Sequence, residues 1–293
     1  MIWMTWLFLA LADQSGRGQS LTAAAQEFEA ALADNPSGDK LALILHNLGT
    51  VERQLGRYPE AERHLRRAVA IWQQHEPTNQ TELASSLQNL ATLYLTLGRL
   101  SQAEPLYRRA YDLRRATLGD QHPLTALSLH CLAELLHTRR RYVEAEDLFT
   151  RASARLDPNS LEFADLSHNR AILYRDMHRD PESKPLLERA AAIYETSGPT
   201  HPNLAIILRN LADLDPTHAD TLFARSLAIC AASLPPDHPQ TAIILEAYAT
   251  HLDHTSRKKE GRPLHQRAHS ILAASARTSG ANLTIDVLAL TAK

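Results

Sequence analysis

The sequence predicts an all-α solenoid of about six helix hairpins, and three observations carry that prediction. The stretch HNLGTVERQLGRYPEAERHLRRA at 46–68 returns 42 residues later as QNLATLYLTLGRLSQAEPLYRRA at 88–110. Small and bulky apolar residues recur in each copy at spacings of three and four, which places them on one stripe of a helix. Alanine and leucine dominate a composition with 5% aromatics and ten glycines, which favours helix over strand. A unit that cannot bury its apolar stripe alone must stack on its neighbours, so repetition at this period implies a stack.

The elements follow in order. Residues 1–19 form an N-terminal apolar segment, and 20–37 a partial repeat in which Ala24, Phe28 and Ala31 carry second-helix spacings, followed by Asn35-Pro36. Complete repeats are expected at about 40–76, 81–117, 122–156, 160–196, 201–232 and 238–277, and a tail at 278–293. The first helix of each is marked in turn by Asn47-Leu48-Gly49, Asn89-Leu90-Ala91, Cys131-Leu132-Ala133, Asn169-Arg170-Ala171, Asn210-Leu211-Ala212 and Ala247-Tyr248-Ala249. Second helices carry Ala61, Ala103, Ala145 or Ser183, then Leu65, Tyr107, Phe149 or Leu187, then Ala68, Ala110, Ala152 or Ala190. Two helices approach closely only where small side chains face each other, and the bulky residue fills the space beside them. Gly56-Arg57-Tyr58 and Gly98-Arg99-Leu100 supply turns between paired helices.

His-Pro opens a first helix three times, in LGDQHPLTA at 118–126, SGPTHPNLA at 197–205 and LPPDHPQTA at 234–242. Proline at the first helical position loses no hydrogen bond, and the residue before it is driven extended and is free to cap. Two repeats depart from the pattern. The fifth lacks about five residues between its helices, so its first helix should be short and Asp215-Pro216 should begin the second. The sixth places Gly261 and His265 at the small and bulky positions, which predicts weaker packing in a terminal cap. The tail ANLTIDVLALTAK at 281–293 breaks the pattern.

Several function classes are disfavoured. With 31 basic against 33 acidic residues the chain lacks the basic surplus of a nucleic-acid binder. The runs Arg139-Arg140-Arg141 and Arg257-Lys258-Lys259 fall at expected turns and read as solvated. His265 and His269 are four apart and follow His251 and His254, yet no HExxH or acidic ligand spacing accompanies them, so no metal is expected. Ser-His-Asp and phosphate-loop patterns are absent, and no cofactor or enzyme activity is expected. Cys131 and Cys230 form no CxxC and fall in different repeats, which predicts free thiols. The opening MIWMTWLFLALA is too short to span a bilayer, so no integral membrane span is expected. It reads either as a first helix of a cytoplasmic protein or as a short signal peptide ending at Ala10-Leu11-Ala12, with export to follow. The intact mass of the natively expressed protein separates the two.

The joint pattern resembles the tetratricopeptide repeat across residues 20–277. The His-Pro entries, the Asn-Leu-Ala anchors and the GR-x-x-EAE turns resemble the kinesin light chain subfamily, with repeats of about 42 residues. The resemblance implies a right-handed superhelical solenoid whose first helices line a concave groove. It implies a non-enzymatic scaffold that binds an extended peptide or partner segment there, with a protein or peptide as partner. It further implies that Asn47, Asn89, Asn169 and Asn210 contact the peptide backbone; an amide offers both donors and an acceptor. Cys131 and Ala247 interrupt that row. Immediately before the anchors stand His46, Gln88, His130, His168 and Arg209, suited to acidic or polar ligand side chains, with Arg53 and Arg175 adding positive charge. The Lys/Asn pattern by which some co-chaperone domains clamp a C-terminal carboxylate is not present. Against the groove stands a second reading: the asparagines hold neighbouring helices together, and the chain is an assembly module using its convex face or end repeats.

Overall fold

The computed structural model describes residues 17–74 and 78–278. The N-terminal apolar run and the tail beyond Thr278 lie outside the described residues. Among those described there are thirteen α-helices and no strand, and the chain divides into two compact units, Met1–Arg155 and Leu156–Lys293. No described helix is long and apolar enough to cross a membrane.

The first unit comprises α1 (Arg17–Ala33), α2 (Gly38–Gln54), α3 (Tyr58–Gln74), α4 (Gln80–Thr96), α5 (Leu100–Leu118), α6 (Pro123–Thr138) and α7 (Tyr142–Ser153). Helices pair as α2/α3, α4/α5 and α6/α7, with α1 packed on α2 through Ala25, Phe28, Leu48 and Val51. The small residues Ala61, Ala68, Ala103, Ala110, Ala145 and Ala152 are buried with Leu65, Tyr107 and Phe149 between them. Gly49 shows how tight the approach is: a Cβ there would come within 2.7 Å of Leu65 Cγ.

The second unit comprises α8 (Leu161–Asp176), α9 (Asp180–Ser197), α10 (Pro202–Leu214), α11 (Ala219–Ser233), α12 (Pro239–His254) and α13 (Lys258–Thr278). They pair as α8/α9, α10/α11 and α12/α13. Leu187, Ala190, Tyr194, Leu208 and Phe223 form the main core, and Ala242, Leu245, Ala268 and Ile271 a second cluster at the last pair.

Five of the turns within hairpins share one geometry. The residue after the first helix's cap adopts positive φ: Gly56 at 76°, Gly98 at 69°, Arg140 at 58°, His178 at 57° and Ser256 at 64°. The next amide reaches back five residues, as in Arg57 N to the Glu52 carbonyl at 2.8 Å and Arg141 N to the Leu136 carbonyl at 2.9 Å. This is the Schellman closure, which satisfies carbonyls that the helix end leaves open. Glycine adopts that φ without steric cost, whereas Arg140, His178 and Ser256 do not. Arg140→Gly is therefore expected to stabilise the first unit by about 0.5–1 kcal/mol, read as a higher urea midpoint. An unchanged or lower midpoint would contradict the strain.

The arginine that follows four of these residues, Arg57, Arg99, Arg141 and Arg257, also ties hairpins together. Arg99 donates to Glu62 at 2.8 Å, Arg141 to Glu104 at 3.0 Å, and Arg57 lies 3.6 Å from Glu29, each on the preceding second helix. Arg139 joins Arg141 on Glu104, and Arg257 holds Asp220 and Glu260, while Arg140, Lys258 and Lys259 of the same two runs stand exposed at the turns.

The His-Pro entries cap as their geometry allows: the Nδ1 atoms of His122, His201 and His238 accept from the amides of Leu124, Asn203 and Gln240 at 3.1–3.2 Å. Their backbones are extended and proline follows at the first helical position. In the fifth repeat α10 is short, at 13 residues. The second helix, however, starts at Ala219 rather than at Asp215-Pro216. The Asp215 carboxylate accepts from Lys184 at 3.1 Å and from Thr217, and the Asp215 carbonyl accepts from the His218 amide at 3.2 Å. Those bonds hold 215–218 as a turn. In the last hairpin Gly261 does not leave a gap: a Cβ there would lie 3.0 Å from the Ala249 carbonyl oxygen, because α13 closes onto α12. His265, at the bulky position, is instead drawn to Glu246 at 2.8 Å and Asp253 at 3.4 Å.

Candidate functional site

The residues singled out in the sequence lie on the first helices of the hairpins, α2, α4 and α6 in one unit and α8, α10 and α12 in the other. In the first unit they form a connected chain. Thr50 Oγ1 donates to the His46 carbonyl at 2.8 Å, so it presents a lone pair to its other neighbour. Asn89 Nδ2 donates to that oxygen at 2.9 Å and to His46 Nε2 at 3.3 Å. His46 must then carry its proton on Nδ1, which donates to Ser86 Oγ at 2.9 Å. Burial, reinforced by the charge of Arg114, pushes the His46 pKa down to about 4. With both protons of its amide nitrogen committed, Asn89 keeps its Oδ1 without a donor among the described residues.

Near this chain of hydrogen bonds the first unit holds two arginines, Arg114 and Arg53, that no carboxylate meets among the described residues. Arg114 of α5 is 4% exposed, yet no carboxylate meets it among the described residues. Its Nη atoms donate to Gln88 Oε1, to the Leu124 carbonyl at 3.3 Å, and to Ser128 and Ser85 hydroxyls at 2.8 and 3.2 Å. Gln88 is thereby turned towards the protein. An unpaired buried charge costs several kcal/mol relative to a paired one, so the arrangement calls for an opposite charge nearby. Arg53, at the end of α2, is half-buried with its Nε enclosed and has no acceptor among the described residues. Tyr107 Oη lies 2.9 Å from Thr92 Oγ1; Thr92 donates to the Gln88 carbonyl, so the phenol is the donor. His130 is buried, 3.7 Å from Glu134, with its ring 5.7 Å from Phe149. Asn47 is half-buried, and its side chain makes no hydrogen bond to a described residue.

The second unit repeats the motif and closes it. Asn210 Nδ2 donates to His168 Nε2 at 2.8 Å, and its Oδ1 accepts from Arg209 at 2.8 Å and from Arg175 at 3.4 Å. Arg175 donates to Asp213 at 3.1 Å, and Arg209 lies 3.8 Å from the same carboxylate. Asn210 is buried and every polar atom of its side chain is spent inside the unit. Burial, with Arg209 adding to it, lowers the His168 pKa to about 4. Asn169 is half-buried and engaged with the protein.

Sequence reasoning missed Arg114, Thr50 and Asp213. The two latter stand three residues after an anchor and so share its face, a signal that the i, i+3 rule makes visible. Arg114 had no local signal, because its partners are 10–29 residues away. The thiols of Cys131 and Cys230 are free, and burial holds the Cys131 thiol up at about 12.

Comparison with known proteins follows the fold. A tetratricopeptide repeat family model matches residues 40–116, 82–157 and 162–221. No curated protein matches the sequence. Among solved structures, BtubC (BKLC) from P. vanneervenii is similar with a TM-score of 0.59 and 22% identity, over 73% of this chain and 89% of that one. A putative kinesin light chain from Podosopora anserina with nearly identical repeats gives 0.56 and 23%, over 68% and 99%. The Rap conjugation gene regulator of plasmid pLS20, solved in complex with the Phr* peptide, gives 0.69 and 14%, over 94% and 75%. At these identities the likeness is one of fold.

Proposed function

The chain belongs to the tetratricopeptide repeat family, and from that premise we propose that it is a non-enzymatic scaffold receiving an extended peptide or partner segment on the first-helix face of its first unit. The observation that carries this is the open Oδ1 of Asn89, held in place by Thr50 and His46, with Arg53, which has no acceptor among the described residues, on the adjoining first helix. An oriented acceptor of this kind suits a peptide N–H irrespective of the peptide's sequence. Asn47 on the same face supports the reading. Asn210 is built for the other role, a tie between hairpins, and that favours confining recognition to the first unit.

The test is selection of peptides on the full chain from a random display library, then titration of enriched peptides against wild type and Asn89→Leu. We expect Asn89→Leu to weaken binding at least about tenfold with an unchanged circular dichroism spectrum. Since the variant strips a donor from half-buried His46, Asn89→Asp serves as the control that retains an oxygen acceptor in place. Peptides bound equally by all three proteins would remove the groove reading and favour an assembly role through the second helices or end hairpins.

A further inference from the structure

The two units contain related constellations, one closed by its own residues and one left open, since Gln88 and Thr92 stand where the second unit has Arg209 and Asp213. His46, Asn89 and Arg53 in the first correspond in repeat position to His168, Asn210 and Arg175 in the second. Both histidines are neutral and bridged through Nε2 to the asparagine of the next first helix, at 3.3 and 2.8 Å. In the second unit Arg175 is met by the carboxylate of Asp213 at 3.1 Å, three residues beyond Asn210. Three residues beyond Asn89 stands Thr92, whose hydroxyl is already bonded to the Gln88 carbonyl and Tyr107. Arg53 is consequently left with five N–H groups and no acceptor among the described residues.

We propose that the first unit's face is a carboxylate-binding site, in which an aspartate or glutamate side chain of the bound segment docks on Arg53 in the place that Asp213 fills beside Arg175. The inference rests on the peptide-face reading for the kind of ligand, while the chemistry of the site comes from the chain's own second copy. Buried Arg114, without a carboxylate of its own, adds positive potential from beneath Gln88 and Ser85. Glu134 is the acidic group on α6 nearest to this surface; it lies by His130, at 3.7 Å, and leaves Arg53 unpaired. A side-chain carboxylate fits better than a C-terminal one, because the free Oδ1 of Asn89 calls for a main-chain N–H from a segment that runs on past the arginine. Arg suits this role through its planar fork, which pairs with a carboxylate in two parallel hydrogen bonds.

The test is fluorescence anisotropy on the full chain at low salt, with a labelled oligoglutamate peptide amidated at its C-terminus. Wild type is expected to bind it at least about tenfold more tightly than oligoglutamine or oligolysine of equal length. Arg53→Gln should weaken oligoglutamate by about tenfold or more. Thr92→Asp, which supplies the missing carboxylate from within, should weaken it comparably while raising the melting temperature. Arg67→Gln and Arg140→Gln, remote from this face, should bind as wild type does. The proposal is overturned if Arg53→Gln binds normally, if the remote variants lose as much, or if binding requires a free C-terminal acid. Library-selected peptides that depend on Asn89 but not on Arg53 would remove this site and leave the peptide face standing. Oligoglutamate held through Arg53 but indifferent to Asn89→Leu would keep the carboxylate site and remove the extended-peptide reading.

Discussion

Phe223→Ala is expected to destabilise the second unit by about 3–5 kcal/mol. The ring is fully buried in α11, at the bulky position of the small–bulky–small stripe, and stacks on Tyr248 with centroids 4.9 Å apart. It also sits 5.8 Å from the His251 ring, so the phenyl group joins α11 to α12 across two hairpins. Removing it forfeits both the transfer energy of the side chain and the contacts around the hole, since the hairpin backbone on either side is already in close contact. Stability in stacked repeats is carried by interfaces between neighbours. The loss should therefore appear as faster amide exchange in α10, α11 and α12, together with a lower urea midpoint. A drop below about 1 kcal/mol would mean that α11 and α12 collapse onto each other, and the stripe would not be the core it is described as.

The second large effect is on acid stability. His46 and His168 are each neutral acceptors in the fold with pKa lowered to about 4, against 6.5 for the free side chain. Between those values the unfolded chain binds protons that the folded chain refuses, so stability rises with pH. The full contribution is present above about pH 6.5 and is lost as pH falls towards about 4. Each histidine is worth on the order of 3 kcal/mol across that window. Protonation would also set an imidazole N–H against the amide of Asn89 or Asn210, breaking the bridge between hairpins. His265 works in the opposite sense: its pKa is raised, first by the hydrogen bond to Glu246, so its contribution is present at low pH and lost as pH rises through the raised value. Urea midpoints measured across the window should fall steeply for wild type and much less for the His46→Gln/His168→Gln double variant. Equal slopes would place the acid sensitivity elsewhere.

The fold was largely legible because its governing constraint is local and repeated. Ala61, Ala103 and Ala145 are small for one reason, close helix approach, and that reason leaves the same mark every time. The His-Pro entries were legible likewise, down to the histidine as cap. What local spacing did not reveal was decided by contacts between repeats. By local spacing Asp215 opens a helix, but Lys184, 31 residues earlier, draws its carboxylate into a turn. Arg140, His178 and Ser256 occupy a left-handed position that only Gly56 and Gly98 announce by type. At the candidate site the anchor column was readable, whereas its division into an open and a closed half was not. Thr92 and Asp213 look like ordinary polar surface residues until Arg53 and Arg175 are placed beside them.

The most direct test of a first unit that receives a peptide and a second that is closed by its own residues is hydrogen–deuterium exchange on the full chain, with and without a library-selected peptide. The expected result is new protection in α2 and α4, around His46–Arg53 and Ser85–Thr92, with α10 unchanged around Arg209–Asp213. Protection confined to the second helices, to α12 and α13, or shared equally by α10 would contradict it.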